Sequence, residues 1–586
     1  MTSHATALFW FGAALLFAAP QGLVGQCPEG RIAAVFVNRR EIFERPESVA
    51  AQRLAWAYDF ANRVHTKTRE DVIRRELLFR EGDCYDAVLI ADSERVLRAT
   101  PFIARAQIFA TREADGTVRV LVDTRDEWST RPELRLETGG GLSLKALELR
   151  EDNLAGTGQH VAIYTRESEG EREYGVSYAT PQLARTRWDL QLAGGKTSAG
   201  YFVSQLLAYP FVGETGPWAI RQQFGYHDRF FEYFVPRQHG DGLARILFGE
   251  RRSSFDAGAV YRFGPRRHLN LIGGALATEW IQYDEGARFA TREDSINAPA
   301  AVLDRFPRQD TVQSIRAVAI LGRRSIGFVQ RRGIDAVNTT EDIPLGTEVE
   351  VALGMGLGIF GTDRDATVNI GLLTGGEYRG LLGGMRVVTE AKRNLESKGT
   401  GSEWSDILTQ LDAWSYWRPS PESRHTWVAA VSGVGGWQTT TPFQATLGRR
   451  SGLRGFQDHL FPGEQRVVIA LEHRRYLPWS YVRFGELGTV MFANAGKIWQ
   501  GRDPYGVNSP FEVAVGAGLR HAFPSGSRRT YRLDVAIPVA GDIPGRRIAI
   551  IAGVGQAIGI GALRDDSQLR RSARRPLASS LLSLPR

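Results

Sequence analysis

The chain reads as a small α+β domain followed by an all-β transmembrane barrel, on three observations. From about Trp128 onward, apolar and polar residues alternate with a period of two, interrupted by Gly, Pro, Asn and charged turns. Strands that show one face to lipid and the other to a lumen require that pattern. The 64 glycines, 13 tryptophans and 17 tyrosines among 586 residues suit short turns and interfacial aromatic girdles. Beyond the N-terminus no apolar run approaches the roughly 18 residues of a spanning helix, which excludes helical membrane proteins. The length also exceeds one ordinary globular core, so at least two units are expected.

The first element is an apolar run over residues 5–19 followed by Pro20 and Val24-Gly25-Gln26, which reads as an exported signal peptide, residues 1–25. Gln26 departs from the small residue expected before a lipidated cysteine. Cys27 and Cys84 are the only cysteines. An oxidising compartment allows a disulfide between them, and two free thiols fit equally well, because pairing requires Cα atoms within ~7 Å. No Cys/His spacing points to a metal, and no cofactor is expected.

Residues 31–126 form the soluble domain. Residues 32–37 open it as a strand. Thr68 is placed to cap a helix over 69–79, and Asp86 to cap a second over 87–98. Strands over 103–110 and 118–124 follow, joined through Asp115-Gly116, a hairpin signal. An insertion at about 48–65 carries Leu54, Trp56, Tyr58 and Phe60. It is either an ordinary packed insertion or an amphipathic docking helix.

Residues 128–560 form the barrel. Tyr531, Leu533, Val535 and Ile537 alternate with Arg532, Asp534 and Ala536, and Trp188, Leu190 and Leu192 with Arg187, Asp189 and Gln191. Regions 284–310 and 390–406 interrupt the alternation and are expected as extracellular loops. Residues 561–586, rich in Arg, Ser and Leu, form a C-terminal tail, either a disordered extension or a plug returning to the lumen.

Within the barrel, Ser451-Gly452-Leu453-Arg454-Gly455-Phe456 places a large cation between two strand patterns. In the next strand Val467, Ile469 and Leu471 share one face and Val468, Ala470 and Glu472 the other, so Glu472 points away from lipid. Further on, Phe492, Asn494 and Gly496 share an inward face. A guanidinium inside a barrel requires pairing, and its planar fork fits a carboxylate.

Leu453, Arg454, Gly455 and Phe456, with Glu472 and Asn494, resemble the signature of the BamA/TamA outer-membrane assembly superfamily (bacterial surface antigen family). In that superfamily a loop bearing Arg-Gly-Phe folds into the barrel. The family usually has an acidic residue where Asn494 stands. The order of elements over 31–126 looks like a single POTRA domain. The resemblance implies a Gram-negative outer-membrane location, a monomeric sixteen-stranded barrel embedded in outer-membrane lipids, and a periplasmic POTRA unit. That unit would receive unfolded client proteins and periplasmic chaperones or accessory proteins, with an exposed strand available for β-augmentation. It also implies a lateral seam between the first and last strands; here the last strand, read as 547–558, carries Gly553 and Gly555, which either weaken pairing or relieve crowding.

Other classes fit less well. The net charge of +8 is scattered through strands and turns, and no nucleic-acid partner is expected. Gly356-Leu357-Gly358-Ile359-Phe360-Gly361 matches a dinucleotide pattern without a surrounding βαβ unit. No nucleophile elbow or zinc-protease motif occurs, and the chain is read as not an enzyme. The expected function is insertion, assembly or translocation of client proteins. A passive or gated pore and a two-partner secretion transporter are the alternatives.

Overall fold

In the computed structural model the described residues are 27–43, 55–138, 142–168, 171–235, 244–290, 295–297, 304–306, 311–395, 404–477, 485–542, 548–559, 569 and 572. The expected signal peptide, residues 1–25, lies outside them, as does most of the tail. The N-terminal domain runs β1 (Ile32–Arg40), α1 (Ala55–Val64), α2 (Glu70–Glu76), α3 (Ala87–Ala99), β2 (Ile103–Arg112) and β3 (Val118–Asp126). Its sheet order is β1-β3-β2, with β1 parallel and β2 antiparallel to β3. The parallel pair needs a crossover, and the helical segment between β1 and β2 supplies it. Ile32, Val35, Val120, Val122 and Ile108 from the sheet pack on Val72, Ile73, Ile90 and Leu97 of α2 and α3.

Asp86 caps α3, accepting from the Val88 and Leu89 N–H groups. Thr68 does not cap α2. Its N–H donates to Asp126 Oδ2 at 2.7 Å and its hydroxyl accepts from Asn153 of the barrel at 2.9 Å, so the junction between the units takes both groups. The helix accordingly starts at Glu70, and it ends at Glu76 because Leu77 turns to extended backbone at φ −69, ψ 140. Within the insertion α1 is helical, and Tyr58 packs against Ile42 and Phe43. Cys27 and Cys84 are joined in a disulfide with Cα atoms 5.2 Å apart, tying the start of the domain to the connection between α2 and α3.

The rest of the described chain is a closed antiparallel barrel that begins at β4 (Thr130–Thr138). Twenty strands form its wall, not the sixteen implied by the resemblance, and two three-residue strands extend the loop after Leu269–Tyr283. The larger number fits because the early strands are short. Leu142–Glu151, His160–Ser168, Glu171–Thr180, Asp189–Lys196 and Tyr201–Tyr209 have 8 to 10 residues each. On the far wall Ala244–Phe263 has 20 and Val312–Arg332 has 21.

Outward positions are apolar and exposed, among them Leu134, Ile163, Val176, Leu471, Met491, Leu519 and Leu533. An apolar belt around a closed wall is a lipid-facing surface. Among the described residues no helix is long and apolar enough to cross a membrane. The described residues 284–290, 295–297 and 304–306 of the first expected loop, and Leu395 of the second, lie at the end away from the N-terminal domain. Residues 390–394 and 404–406, expected in the second loop, belong to the strands Leu381–Asn394 and Trp404–Trp417.

Turns at the near end hold the N-terminal domain. Arg98 makes a two-pronged pair with Asp342 at 2.7 Å on each arm, and Arg266 meets Asp86 at 2.6 Å. The Asp92 carboxylate accepts from the Glu214 N–H at 2.9 Å, and Gln182 donates to the Val72 carbonyl.

Candidate functional site: a pinned internal loop and a thin seam

The connection between the strands His425–Trp437 and Gln465–Tyr476 enters the lumen from the far end. Its base is closed by Ala445–Leu447 pairing with Phe461–Gly463. Leu453 and Phe456 are buried with Leu447, Val468, Ile498 and Ala514, so the tip is seated on the inner wall by apolar contact. Gly455 has φ +98, and a Cβ there would lie 3.0 Å from the Ala514 Cβ. Conformation and close approach both call for glycine at that position.

Arg454 is buried and contacts three wall strands. Its Nη2 forms an ion pair with Glu472 Oε1 at 2.8 Å, Nε donates to Asn494 Oδ1 at 2.9 Å, and Nη1 donates to Asp534 Oδ2 at 3.3 Å. The guanidinium lies 3.5 Å over the Phe492 ring. The structure therefore brings Arg454, Glu472 and Asn494 together, and adds a carboxylate that motif spacing did not single out. Asp534 sits on Tyr531–Ala540, inward by the alternation already visible in that strand.

The charges continue into a ring. Arg474 donates to Glu472 at 2.9 Å and to Asp335 Oδ1 at 3.1 Å, and Tyr416 also donates to Asp335 at 2.9 Å. Asp335 belongs to the near-end hairpin between Val312–Arg332 and Thr340–Gly356, which folds inward. Glu341 holds its tip by accepting from the N–H groups of Ile334, Asp335 and Ala336. The Asp335 carbonyl accepts from Gln556 at 2.7 Å, Gln556 accepts from Arg520 at 2.8 Å, and Arg520 pairs with Asp534 at 2.5 Å. Sequence reasoning missed Arg474, Arg520, Asp335 and Gln556. Arg474 and Arg520 do occupy inward positions of alternating strands, the one signal that could have marked them.

The last strand is Ala549–Val554, not 547–558. Gly553 lies inside it, and a Cβ there would meet only the Arg532 side chain at 3.6 Å or beyond, so crowding does not account for this glycine. Gly555 lies past the strand at φ +85 and donates to the Thr530 carbonyl at 2.7 Å, a left-handed turn that sends the chain into the lumen. There the Ile558 carbonyl accepts from Arg474 at 2.7 Å. Of the tail, Leu569 is buried with Leu408, Val434, Phe443 and Ala445, and Ser572 donates to the Pro442 carbonyl. Both described tail residues are thus packed against protein, which departs from a wholly disordered extension.

Barrel closure is narrow. Among the described residues one pair, Ile551 with Glu137, is registered between the last strand and β4, whereas the last strand shares six with Tyr531–Ala540. Inside the wall a cavity of about 1200 Å³ is lined by Arg131, Arg150, Arg166, Glu148, Arg386 and Asp412 among others.

Both sheet edges of the N-terminal domain are partly occupied by side chains. Glu81 accepts from the Val35 N–H and Arg74 donates to the Val35 carbonyl; Glu94 accepts from the Ile108 N–H and Arg98 donates to the Ala106 carbonyl. The sheet face away from the helices instead carries an exposed row, Phe36, Leu121 and Phe109, in register across the three strands.

No protein-family model matches the chain, and no curated protein does. Among solved structures the chain is similar to CdiB from Escherichia coli, at 11% identity and a TM-score of 0.45, over 90% of this chain and 76% of that one. It is similar to BamA from Haemophilus ducreyi lacking POTRA domains 1-3, at 14% identity and a TM-score of 0.33, over 90% and 85%. It is also similar to Pseudomonas aeruginosa OccK5, at 10% identity and a TM-score of 0.31, over 73% and 95%.

Proposed function

We propose that this chain is an outer-membrane β-barrel of the BamA/TamA type that assists insertion, assembly or translocation of client proteins by parting its first and last strands. The observation that carries the reading is that, among the described residues, one pair is registered between β4 and Ala549–Val554. A ladder that short loses few hydrogen bonds on opening, each worth about 0.5–1.5 kcal/mol net.

Strand length supports it. A membrane strand needs roughly 9–11 residues, and the last strand has 6. Lipid beside the seam must thin to match so short a wall, and thinned lipid is easier for a new strand to enter. The N-terminal domain, read as a periplasmic POTRA unit, receives unfolded clients or chaperones on its exposed Phe36, Leu121 and Phe109 row. The motif loop, held by Arg454, braces the inner wall two strands from the seam.

An open solute pore accords less well with a lumen entered by the motif loop, the hairpin at Asp335 and the chain end at Gln556. A two-partner secretion transporter is the neighbouring reading.

The test joins Glu137→Cys to Ile551→Cys, the registered pair. Oxidation is expected to abolish client assembly into proteoliposomes and reduction to restore it, with solute flux unchanged. Full assembly with the crosslink verified by mass spectrometry would overturn lateral opening and favour the pore.

A further inference from the structure

Helix α1 presents two unlike faces. Tyr58 is buried, Ala61 packs against the same cluster, and Asn62 clasps the backbone of Phe43 through both its amide groups, at 3.1 and 2.9 Å. Trp56, Phe60 and Val64, spaced by four, share the opposite side and are 69%, 62% and 59% exposed. Three large apolar side chains in one exposed stripe on a ten-residue helix are more than the scatter expected of a water-facing surface.

The docked side identifies the direction of the exposed side. Phe43, beneath α1, contacts Trp128 at 6.4 Å and Phe523 at 5.6 Å between ring centroids. Trp128 precedes β4 by two residues and keeps the parity of the outward Leu134. Phe523 follows Glu512–Ala522 and keeps the parity of the outward Leu519. Both rings therefore continue the lipid-facing surface at the near rim, Trp128 at the foot of β4 beside the seam and Phe523 across it beyond Ala549–Val554 and Tyr531–Ala540. A helix seated on the outside of that rim turns its far face away from the wall, toward whatever surrounds the barrel there.

We propose that α1 is an interfacial membrane anchor, with Trp56, Phe60 and Val64 lying in the headgroup–acyl boundary of the leaflet on the N-terminal domain's side, beside the seam. The proposal rests on the barrel spanning a membrane. The helix is seated on Trp128 and Phe523, rings that continue the outward apolar face of the wall, Trp and Phe favour that boundary, and Arg63 flanks the stripe as a basic residue able to meet a phosphate headgroup. An anchor there holds the client-receiving domain against the thin wall and adds to the disturbance of lipid at the seam.

The experiment uses the full-length chain in vesicles of phosphatidylethanolamine and phosphatidylglycerol, with a nitroxide on Phe60→Cys. Cys27 and Cys84 stay bridged, so labelling is selective. Leu533→Cys, on the outer wall, and Asp115→Cys, in the exposed turn between β2 and β3, serve as references. Collision with oxygen relative to a water-soluble nickel chelate is expected to be several-fold greater at position 60 than at 115, at a depth shallower than position 533. A value at 60 equal to that at 115, with 533 in lipid, overturns the anchor and leaves the barrel standing. Shielding of 60 from both reagents overturns it in favour of a covering protein. Water exposure at 533 as well removes the barrel reading and the anchor with it. Val64→Cys repeats the measurement should Phe60→Cys not fold.

Discussion

Arg454 shows how far a buried charge is from being half of a pair. Glu472 is held by Arg474 as well as by Arg454, and Asp534 by Arg520 as well as by Arg454. Removing Arg454 therefore strands no carboxylate alone. Arg454→Ala is expected to lower barrel stability by less than the roughly 3–5 kcal/mol of a broken isolated buried pair, read as a modest drop in the temperature at which the folded electrophoretic band is lost. A larger loss would mean that Arg474 and Arg520 do not hold the remaining carboxylates. Asn494 stands where the family resemblance implies an acid, and the structure shows how the site manages without one: Asp534 supplies the second carboxylate from a different strand. With Arg454, Arg474 and Arg520 already facing Glu472, Asp534 and Asp335, Asn494→Asp adds an anion to a balanced cluster and is expected to lower the same temperature. A rise would show that Arg454 has a donor to spare.

At the scale of elements, the docking of the N-terminal domain depends on α3. Arg98 reaches from its last turn to Asp342, and Asp86 at its cap reaches Arg266. Arg98→Ala is expected to speed amide exchange in α3 and in the turns it touches while leaving the central wall strands protected; unchanged exchange in α3 would mean that its other contacts suffice. Acid should act in the same direction. The Arg266 hydrogen bond holds the Asp86 carboxyl below the usual carboxylate range. A depressed carboxyl contributes stability above its unfolded pKa of roughly 3.9, and that contribution fades as pH falls through the lower folded value. Helix α3 was legible from its cap and periodicity, α2 from periodicity but not from its cap, because contacts with the barrel took the capping group, and α1 was left open between an ordinary insertion and a helix.

For the whole molecule, the chain end is part of the closure. Gln556 links the Asp335 hairpin to Arg520 immediately after the turn at Gly555. Gln556→Ala removes both bonds and should loosen the last strand; for a loss of ~1.4 kcal/mol, exchange in Ala549–Val554 rises about tenfold. Exchange unchanged there would show that the ladder with Tyr531–Ala540 alone holds the strand.

The order of domains, the inward face of each alternating strand and the loop bearing Arg454 were all determined by the amino-acid sequence itself, because strand alternation is local and a buried cation needs a partner wherever the chain goes. What only the tertiary structure decided is which distant residues meet. Strand number depends on where short strands end and on closure of the whole circumference, so local alternation left it open, and twenty strands replaced sixteen. Asp534, Arg520, Asp335 and Gln556 join Arg454 because the wall curves back on itself and the hairpin folds inward. The exposed face of α1 acquires meaning only from the outward rings of Trp128 and Phe523 beneath it. Periodicity specifies the side of a strand on which a residue lies, whereas closure brings together residues separated by hundreds of positions.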